Sequence, residues 1–453
     1  MFQIIEPSEL IEFVLGAVVV NPSAAQGMRM VMAREPEFGS RLAAQLTGIA
    51  LDPTGRQIAE QAMDAYWADQ PRQERLQRDS SAGREVIIGG GFHAAVYAAT
   101  RVLAGFAKPL VVERSARVGG TFGLTAWPTF FLNSRNRAGG AGLAGDQGVA
   151  LNYLPGGPIQ AANVSMTEYQ TNADMAFVIR LALAQYADVI TDAQVLSVTR
   201  DANAVEMDIA ERGVLRAGRV IDARGLGDPI DQNQANGTTI VTFPQLLARM
   251  ASPWPLQGVR RAAVIGGGDS GKCAVESLLG IAPQPMMAAA ALDRVERVDW
   301  YAVDLPDTCE RWQREIRGRY QAIGRYLRPD RFGVRRLSVV NRRVGPVAVP
   351  GAALINGRAY DLVVLCTGNR ETDIDGLVFG SFDEYEIPGS GDPVAREHYA
   401  LPAFRVGPHA RLPFTTRERQ DGIADIDANA VSMFRTASKT AVLAATLPAL
   451  TRD

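Results

Sequence analysis

Three residue types that often carry chemistry are scarce in this chain of 453 residues: cysteine, histidine and lysine. The cysteines stand at Cys273, Cys309 and Cys366. No two of them form a CxxC or CxxxxC pair, which argues against a disulfide scaffold and against a redox-active dithiol. The histidines are His93, His398 and His409. They show no metal-ligand spacing, so the sequence predicts no metal site and argues against a zinc hydrolase.

Strong charge and long apolar runs are missing as well. A net charge of −2 gives no reason to expect nucleic acid or an anionic membrane as a partner. The apolar run at residues 11–20 is too short to span a bilayer, and no basic residue precedes it as in a signal peptide. The sequence therefore predicts a cytoplasmic protein with no stable membrane insertion.

What the chain has is the length of two or three domains and the composition of an ordinary globular protein, with 47% hydrophobic and 21% charged residues. Residues 1–83 place apolar side chains at helical spacing between prolines and end in a polar stretch. They carry no recognisable chemistry. We interpret them as a helical N-terminal extension that serves packing or the assembly of a homo-oligomer.

From residue 84 onward, short β-branched runs alternate with helical stretches, as in parallel βαβ units. A strand at residues 86–88 leads into a G-x-G-x-x-A motif made of Gly89, Gly91 and Ala94. The first glycine permits a tight turn, the second lets the backbone approach a pyrophosphate, and the alanine packs helix on strand. Glu113, at the end of the next strand, is placed to bind ribose hydroxyls.

A second motif of the same kind follows an apolar strand and precedes a helix. It is a full G-x-G-x-x-G, and its residues are Gly266, Gly268, Ser270, Gly271 and Lys272. The same phosphate-binding argument applies to it. Lys272, in the first helical turn, would add positive charge near the phosphates or project into solvent.

The residues after Glu113 carry a resemblance to a known family. The run Gly119, Gly120, Thr121 and Phe122 resembles the second FAD contact of the two-dinucleotide-binding-domain flavoproteins. Two apolar strands that end at Gly225 and Gly368 look like the paired strands by which such proteins leave and re-enter the FAD domain. Arg224 departs from that pattern, since threonine is usual there. Gly407 resembles the last FAD contact, without the acidic residue often found at that turn.

This resemblance implies an α/β fold with two Rossmann-like dinucleotide-binding domains, an FAD domain with an inserted NAD(P)H domain, beside the N-terminal extension. The expected bounds are 1–83 for the extension, 84–250 for the first part of the FAD domain, 251–350 for the NAD(P)H domain and 351–453 for the return segment with a C-terminal helix. FAD would occupy the first motif and NADPH or NADH the second. Asp304 favours NADH, whereas the arginine-rich segment 311–336 gives a lean to NADPH.

Within the family the pattern is most similar to the class B flavin-dependent monooxygenases, including the N-hydroxylating branch. In that group NAD(P)H reduces FAD, dioxygen adds at the flavin C4a, and the peroxyflavin attacks a small substrate, so the protein supplies few acid–base residues. The F-x-G-x-x-x-H fingerprint that usually precedes the second motif is missing at residues 242–249. The alternatives are a reductase or oxidase that passes electrons to a quinone, a small acceptor or a carrier protein, and a non-catalytic flavin-binding protein.

A loop after the flavin contact is the candidate substrate site, because aromatic residues there precede a dense polar cluster. We expect Asn133, Arg135 and Asn136 to take part in catalysis, and Trp127 and Arg137 to bind substrate. Arg135 or Arg137 would clamp a substrate carboxylate through two hydrogen bonds. Asn133 or Asn136 would hydrogen-bond the oxygenated flavin or the nicotinamide amide. A surface loop with solvated arginines is the competing interpretation.

Overall fold

The fold is taken from a computed structural model of the chain. It describes residues 53–124, 130–135, 169–201, 204–281, 295–316, 318–329, 336–370, 372–377, 382–386, 393–397 and 403–407, and within the C-terminal part residues 436, 440, 443–444 and 447–450. By contact the chain divides into two compact units. The first comprises residues 1–124, 134–225 and 373–453, and the second comprises residues 125–133 and 226–372.

The α-helices are α1 (Pro53–Trp67), α2 (Gln70–Arg78), α3 (Phe92–Leu103), α4 (Gly120–Leu124), α5 (Asn172–Tyr186), α6 (Phe243–Met250), α7 (Asp269–Leu279) and α8 (Cys309–Glu315). Short 3₁₀ helices span Gln232–Gln234 and Gly318–Leu327. The first ten strands are β1 (Glu85–Ile88), β2 (Leu110–Val112), β3 (Phe131–Arg135), β4 (Tyr169–Thr171), β5 (Asp188–Ile190), β6 (Val195–Asp201), β7 (Ala204–Ile209), β8 (Gly213–Ala217), β9 (Arg219–Asp222) and β10 (Asp228–Pro229). The others are β11 (Ile240–Thr242), β12 (Arg261–Ile265), β13 (Arg297–Ala302), β14 (Leu337–Asn341), β15 (Val347–Val349), β16 (Ala352–Ile355), β17 (Arg358–Tyr360), β18 (Leu362–Leu365), β19 (Asn369–Arg370), β20 (Phe382–Glu386), β21 (Pro393–Glu397) and β22 (Ala403–Arg405).

The first unit is built on a parallel five-stranded sheet in the order β22-β9-β1-β2-β5. Its three inner strands, β9, β1 and β2, are fully buried and apolar except at their ends, as expected of a parallel sheet covered on both faces. An antiparallel meander, β6-β7-β8, packs on one face of this sheet. It shares a hydrophobic core with alternate side chains of β1 and β2, namely Val86, Ile88, Leu110 and Val112. Counted along the chain, the strand order is 3-2-1-4-5, that of a doubly wound dinucleotide-binding sheet. The predicted α/β class is confirmed for this unit.

The second unit is also built on a parallel five-stranded sheet, in which the edge strand β11 comes first along the chain. Its parallel sheet has the order β11-β18-β12-β13-β14, and the strand before the second glycine motif, β12, lies at its centre. A small antiparallel sheet, β15-β16-β17, shares its hydrophobic core with this sheet. The prediction of two Rossmann-like domains is therefore confirmed in both units.

The strand before Gly368 lies in the second sheet. The sequence pattern placed residues 351–370 in the return to the FAD domain, but β18 pairs with β12 and buries Val363 and Leu365 in the core of the second unit. Residues 226–250, which the pattern placed in the first domain, also belong to the second unit, because β11 pairs with β18. A strand-to-glycine pattern does not encode which sheet its strand joins, and a parallel partner far away in sequence decides that.

The described part of the N-terminal extension packs within the first unit. Met63 and Trp67 of α1 are buried, and Asp64 accepts a hydrogen bond of 2.6 Å from the buried Arg180 of α5. On α2, Arg72 donates to the carbonyl of Val189 in β5. Packing is thus one role of α1 and α2. Residues 1–52 lie outside the described residues, and the predicted part of the extension in oligomerisation stays a prediction.

A buried carboxylate ties the first strand of the first unit to the C-terminal segment. Glu85 opens β1 and accepts hydrogen bonds of 2.9 and 2.7 Å from Arg101, and it also accepts from Arg219. Arg101 donates in addition to the carbonyls of Ala444 and Leu447. The two arginines and the carboxylate are all less than 9% exposed, so this cluster holds the end of the chain against the sheet.

Replacing Glu85 by alanine should lower the free energy of unfolding by about 3–5 kcal/mol, because two buried guanidinium groups lose their carboxylate. Urea unfolding followed by circular dichroism measures this. The matched control is Glu296→Ala, which removes one partner of an exposed pair with Arg260 at 3.9 Å and should cost no more than about 1 kcal/mol. An equally small loss for Glu85→Ala would show that the main-chain carbonyls suffice to hold the arginines.

Candidate nucleotide-binding sites

The first glycine turn lies where the strand order of the first sheet reverses, between β1 and β9. Gly89 has a φ of +98°, and a Cβ on it would come within 2.9 Å of the carbonyl oxygen of Ala223, which follows β9. The protein itself therefore requires glycine here. Ala94, the third position of the motif, is fully buried between helix and sheet. Ligands of doubly wound sheets bind at this point of reversal, beyond the carboxyl ends of the strands.

Gly91 differs from Gly89 because the fold does not demand a glycine there. It is the N-cap of α3 with a φ of −100°, and the nearest atom to a Cβ, apart from its chain neighbours, would be Gly120 Cα at an ordinary 3.5 Å. The N-cap has no side chain to bond the first N–H groups of the helix. Since these groups attract anions, the turn has the form of a phosphate cradle that a side chain at position 91 would fill.

Glu113, predicted to bind ribose hydroxyls, lies against this turn. One carboxylate oxygen accepts the N–H of Gly90 at 2.7 Å and the other accepts the N–H of Ser115 at 2.9 Å. A carboxylate has about four acceptor sites, so two remain for a ligand. The motif did not single out Gly90, although a Cβ on it would approach Val118 to 2.8 Å and Glu113 to 3.2 Å. The run of three glycines was the signal for it.

The predicted second contact loop packs directly on the first turn. The N–H of Gly119 donates to the carbonyl of Gly90 at 2.8 Å, and a Cβ on Gly120 would come within 2.9 Å of Gly91 Cα. Both glycines have positive φ, +124° and +57°. Thr121 is exposed and Phe122 half-buried. The structure thus brings the two glycine segments together, and at both positions a side chain would strain the backbone.

An ion-pair cluster that sequence reasoning missed lies at the same edge of the first sheet. Asp222, the last residue of β9, is buried and accepts two hydrogen bonds of 2.9 Å from Arg224. Arg405 of β22 approaches the same carboxylate at 3.5 Å. The signal was Arg224 itself, which stands where the family has threonine. Gly225, next in the chain, has a φ of +75° and completes the predicted turn.

The turn at Gly407 meets the first turn of α3. Its φ is +86°, and a Cβ on it would lie 3.1 Å from the ring of His93. The His93 ring is 2.8 Å from the hydroxyl of Thr436, and its burial lowers its pKa to about 4. The imidazole is therefore neutral near pH 7. The predicted C-terminal turn thus lies beside the first motif, while most of the C-terminal helix predicted after it lies outside the described residues.

The second glycine turn repeats the geometry of the first. Gly266 has a φ of +118°, and a Cβ on it would clash with the carbonyl of Cys366, which follows β18. A Cβ on Gly271 would clash with the carbonyl of Gly266. Gly268, the N-cap of α7, has a φ of −71° and nothing within 4 Å of a Cβ. Again the middle glycine is the one that the fold does not require.

Side chains around the second turn bear on the choice between NADH and NADPH. Ser270 is half-buried, and Lys272 pairs with Asp269 at 3.2 Å. Asp304 follows β13 in the left-handed region with a φ of +61°. Several arginines of segment 311–336 are paired with acids: Arg311 with Glu315, Arg319 with Glu276 and Arg328 with Glu310. Arginine abundance alone therefore carries less weight than the sequence suggested.

Gly368, with a φ of +105°, forms the turn after β18 and accepts the N–H of Ile230.

The predicted substrate loop falls mostly outside the described residues. Trp127, Asn136 and Arg137 lie outside them. Asn133 and Arg135 belong to β3, of which the structure describes the main chain at these two positions but not the side chains. Their predicted roles in catalysis and substrate binding stay predictions.

All three cysteines are described, and each is a free, buried thiol. Burial raises the pKa of the Cys273 thiol to about 12 and also raises that of Cys366, so neither is a thiolate near neutral pH. Among the described residues, no helix has the length and apolarity to cross a membrane, and no group of side chains has the make-up of a metal site.

Comparisons with known proteins give structural likeness without sequence likeness. No protein-family model and no curated protein matches the chain. A flavin-containing monooxygenase from Stenotrophomonas maltophilia is 20% identical, with 80% of this chain and 97% of that chain covered and a TM-score of 0.48. The ornithine N-hydroxylase of Kutzneria sp. 744 is 15% identical, with 80% of this chain and 98% of that chain covered and a TM-score of 0.48. A Lactococcus lactis thioredoxin reductase is 13% identical, with 80% of this chain and 99% of that chain covered and a TM-score of 0.44.

Proposed function

We propose that the chain is an FAD-dependent oxidoreductase that consumes NAD(P)H, with FAD held by the first unit and NAD(P)H by the second. One observation carries this proposal. In each glycine turn the backbone of the middle glycine, Gly91 or Gly268, has a negative φ, and a Cβ there would not clash with any neighbour. The fold therefore tolerates a side chain at this position, and the lack of one leaves the helix N-terminus open to a phosphate. Two such cradles in one chain fit two dinucleotides.

The residues around the first cradle have distinct parts in this proposal. The N-terminal N–H groups of α3 bind the pyrophosphate of FAD, and the two remaining acceptor sites of Glu113 bind ribose hydroxyls. The loop from Gly119 to Phe122 and the turns at Gly225 and Gly407 would supply further contacts to FAD. In the second unit the N–H groups of α7 bind the pyrophosphate of NAD(P)H, with Ser270 and Lys272 in its first turn.

We further propose that the reaction is the monooxygenation of a small polar substrate that carries an amine or a carboxylate. The bound flavin, once reduced, supplies the activation of dioxygen. Two features support an oxygenase over a dithiol reductase: the three thiols are buried and unpaired, and a polar Asn/Arg cluster follows the flavin loop. In this proposal Asn133, Arg135 and Asn136 act beside the flavin, and Trp127 and Arg137 line the substrate pocket.

The test follows oxygen from labelled dioxygen into products across a panel of amines and amino acids, with NADH and NADPH as reductants. Incorporation into one substrate class, together with about one FAD per chain, is the expected result. Fast NAD(P)H turnover with quinones and no incorporated oxygen would instead assign a reductase. A protein that takes up no FAD would refute both assignments.

If Arg135 or Arg137 clamps a substrate carboxylate, alanine at that position should remove a charge-assisted bond worth about 1.5–3 kcal/mol. This corresponds to a loss of about 10- to 150-fold in kcat/KM. Steady-state kinetics of the variant with the identified substrate measure it. An analogue without the carboxylate serves as the control, since wild type and variant should then turn over alike. Oxidation of NAD(P)H without substrate should change little.

A further inference from the structure

Arg319 is a buried arginine that none of the assignments above uses. It lies in the 3₁₀ helix Gly318–Leu327, and its side chain is 2% exposed. Its Nε donates to both carboxylate oxygens of Glu276 at 3.1 Å, and a terminal nitrogen donates to one of them at 2.6 Å. Glu276 belongs to α7, the helix that begins at the second glycine turn, and is fully buried. One edge of the guanidinium is thus hydrogen-bonded to a side chain of α7.

The other edge of the same guanidinium holds a separate stretch of main chain. Its second terminal nitrogen donates to the carbonyl of Phe131 at 2.9 Å and also to that of Leu132. Residues 125–133 belong to the second unit, although the chain on either side of them belongs to the first. Phe130 adds an edge-to-face contact with Phe243, the first residue of α6, at a ring distance of 6.1 Å.

We propose that Arg319 is a positioning residue: it fixes the main chain at residues 131–132 to helix α7 and so sets the place of Asn133, the next residue of the same unit. The proposal rests on the proposed function for the role of Asn133. The planar fork of arginine can serve a carboxylate on one edge and two carbonyls on the other, whereas the single ammonium of lysine cannot.

Two variants test whether Arg319 holds the main chain at residues 131–132. A buried ion pair is often replaceable by apolar side chains of similar volume without loss of stability. The double variant Glu276→Met/Arg319→Met should therefore fold, while the carbonyls of Phe131 and Leu132 lose their donor. Glu276→Gln is the matched control, because a glutamine oxygen still accepts from Arg319 and the bonds to the two carbonyls remain.

Hydrogen–deuterium exchange of the peptide covering residues 130–135 is the measurement, with thermal unfolding and the Kd for NAD⁺ and NADP⁺ measured alongside. We expect exchange that is at least about tenfold faster in the double variant, exchange as in wild type for Glu276→Gln, and an unchanged Kd in both.

Should the double variant not fold, Arg319→Lys takes its place, with the same expected acceleration. Unchanged exchange in a folded double variant would overturn the proposal, as would equal acceleration by Glu276→Gln. A wild-type protein that binds neither nucleotide refutes the proposed function and leaves the exchange result to be judged separately.

Discussion

Replacing Gly91 by valine should give a protein that folds and purifies without FAD. The backbone there needs no glycine, since its φ is −100° and a Cβ would find no atom closer than 3.5 Å. The valine side chain would instead fill the space before the first N–H groups of α3, where the pyrophosphate has to approach. We expect the Kd for FAD to rise at least about a hundredfold, or roughly 2.7 kcal/mol. Absorbance of the purified protein and titration of the apoprotein with FAD measure the change.

The matched control is Gly345→Val. Gly345 lies in the second unit, and a Cβ on it meets nothing within 4 Å, so this variant has the same chemistry at a position outside both turns. It should keep about one FAD per chain. Gly91→Ala should fall between the two, because a single methyl group obstructs the approach only in part. A yellow Gly91→Val protein with an unchanged Kd for FAD would show that the pyrophosphate does not bind at the N-terminus of α3.

The sequence was sufficient to predict both glycine turns, because their chemistry is local. Gly89 and Gly266 occupy the tight turns with positive φ that the motif requires, and Ala94 and Gly271 pack helix on strand. The place of Glu113 beside the first turn follows from the spacing of a βαβ unit, which fixes how far the next strand lies along the chain. The pair Gly119 and Gly120 was singled out by the family resemblance. A strand, a glycine turn and a helix that follow one another along the chain can be represented by a linear pattern. The main-chain atoms of Ala223 and Cys366 that exclude a side chain at Gly89 and Gly266 are distant in sequence, and the pattern does not show them.

What the sequence did not predict depends on partners that are distant along the chain. The strand at residues 362–365 joined the second sheet because it pairs with β12, about a hundred residues earlier. Arg224 was visible as a departure from the family pattern, but its bidentate bond to the buried Asp222 was not. Arg319 gave no signal at all in an arginine-rich segment. Its significance comes from Glu276 and two main-chain carbonyls, which the fold alone brings to it.

Gly268→Val should abolish reduction by NAD(P)H while FAD stays bound. Gly268 is the N-cap of α7 with a φ of −71°, and a Cβ on it meets nothing within 4 Å. Because valine is a poorer N-cap than glycine, the substitution should lower the free energy of unfolding by about 1 kcal/mol, which leaves the protein folded. The valine would instead obstruct the N-terminus of α7 to a pyrophosphate. Stopped-flow mixing with NADH or NADPH should show flavin reduction slowed at least about a hundredfold at a fixed nucleotide concentration. Dithionite should still reduce the flavin at the wild-type rate, because that reaction needs no nucleotide site. Loss of FAD together with the nucleotide would mean that the two turns serve one ligand, and the assignment of one dinucleotide to each unit would then be wrong.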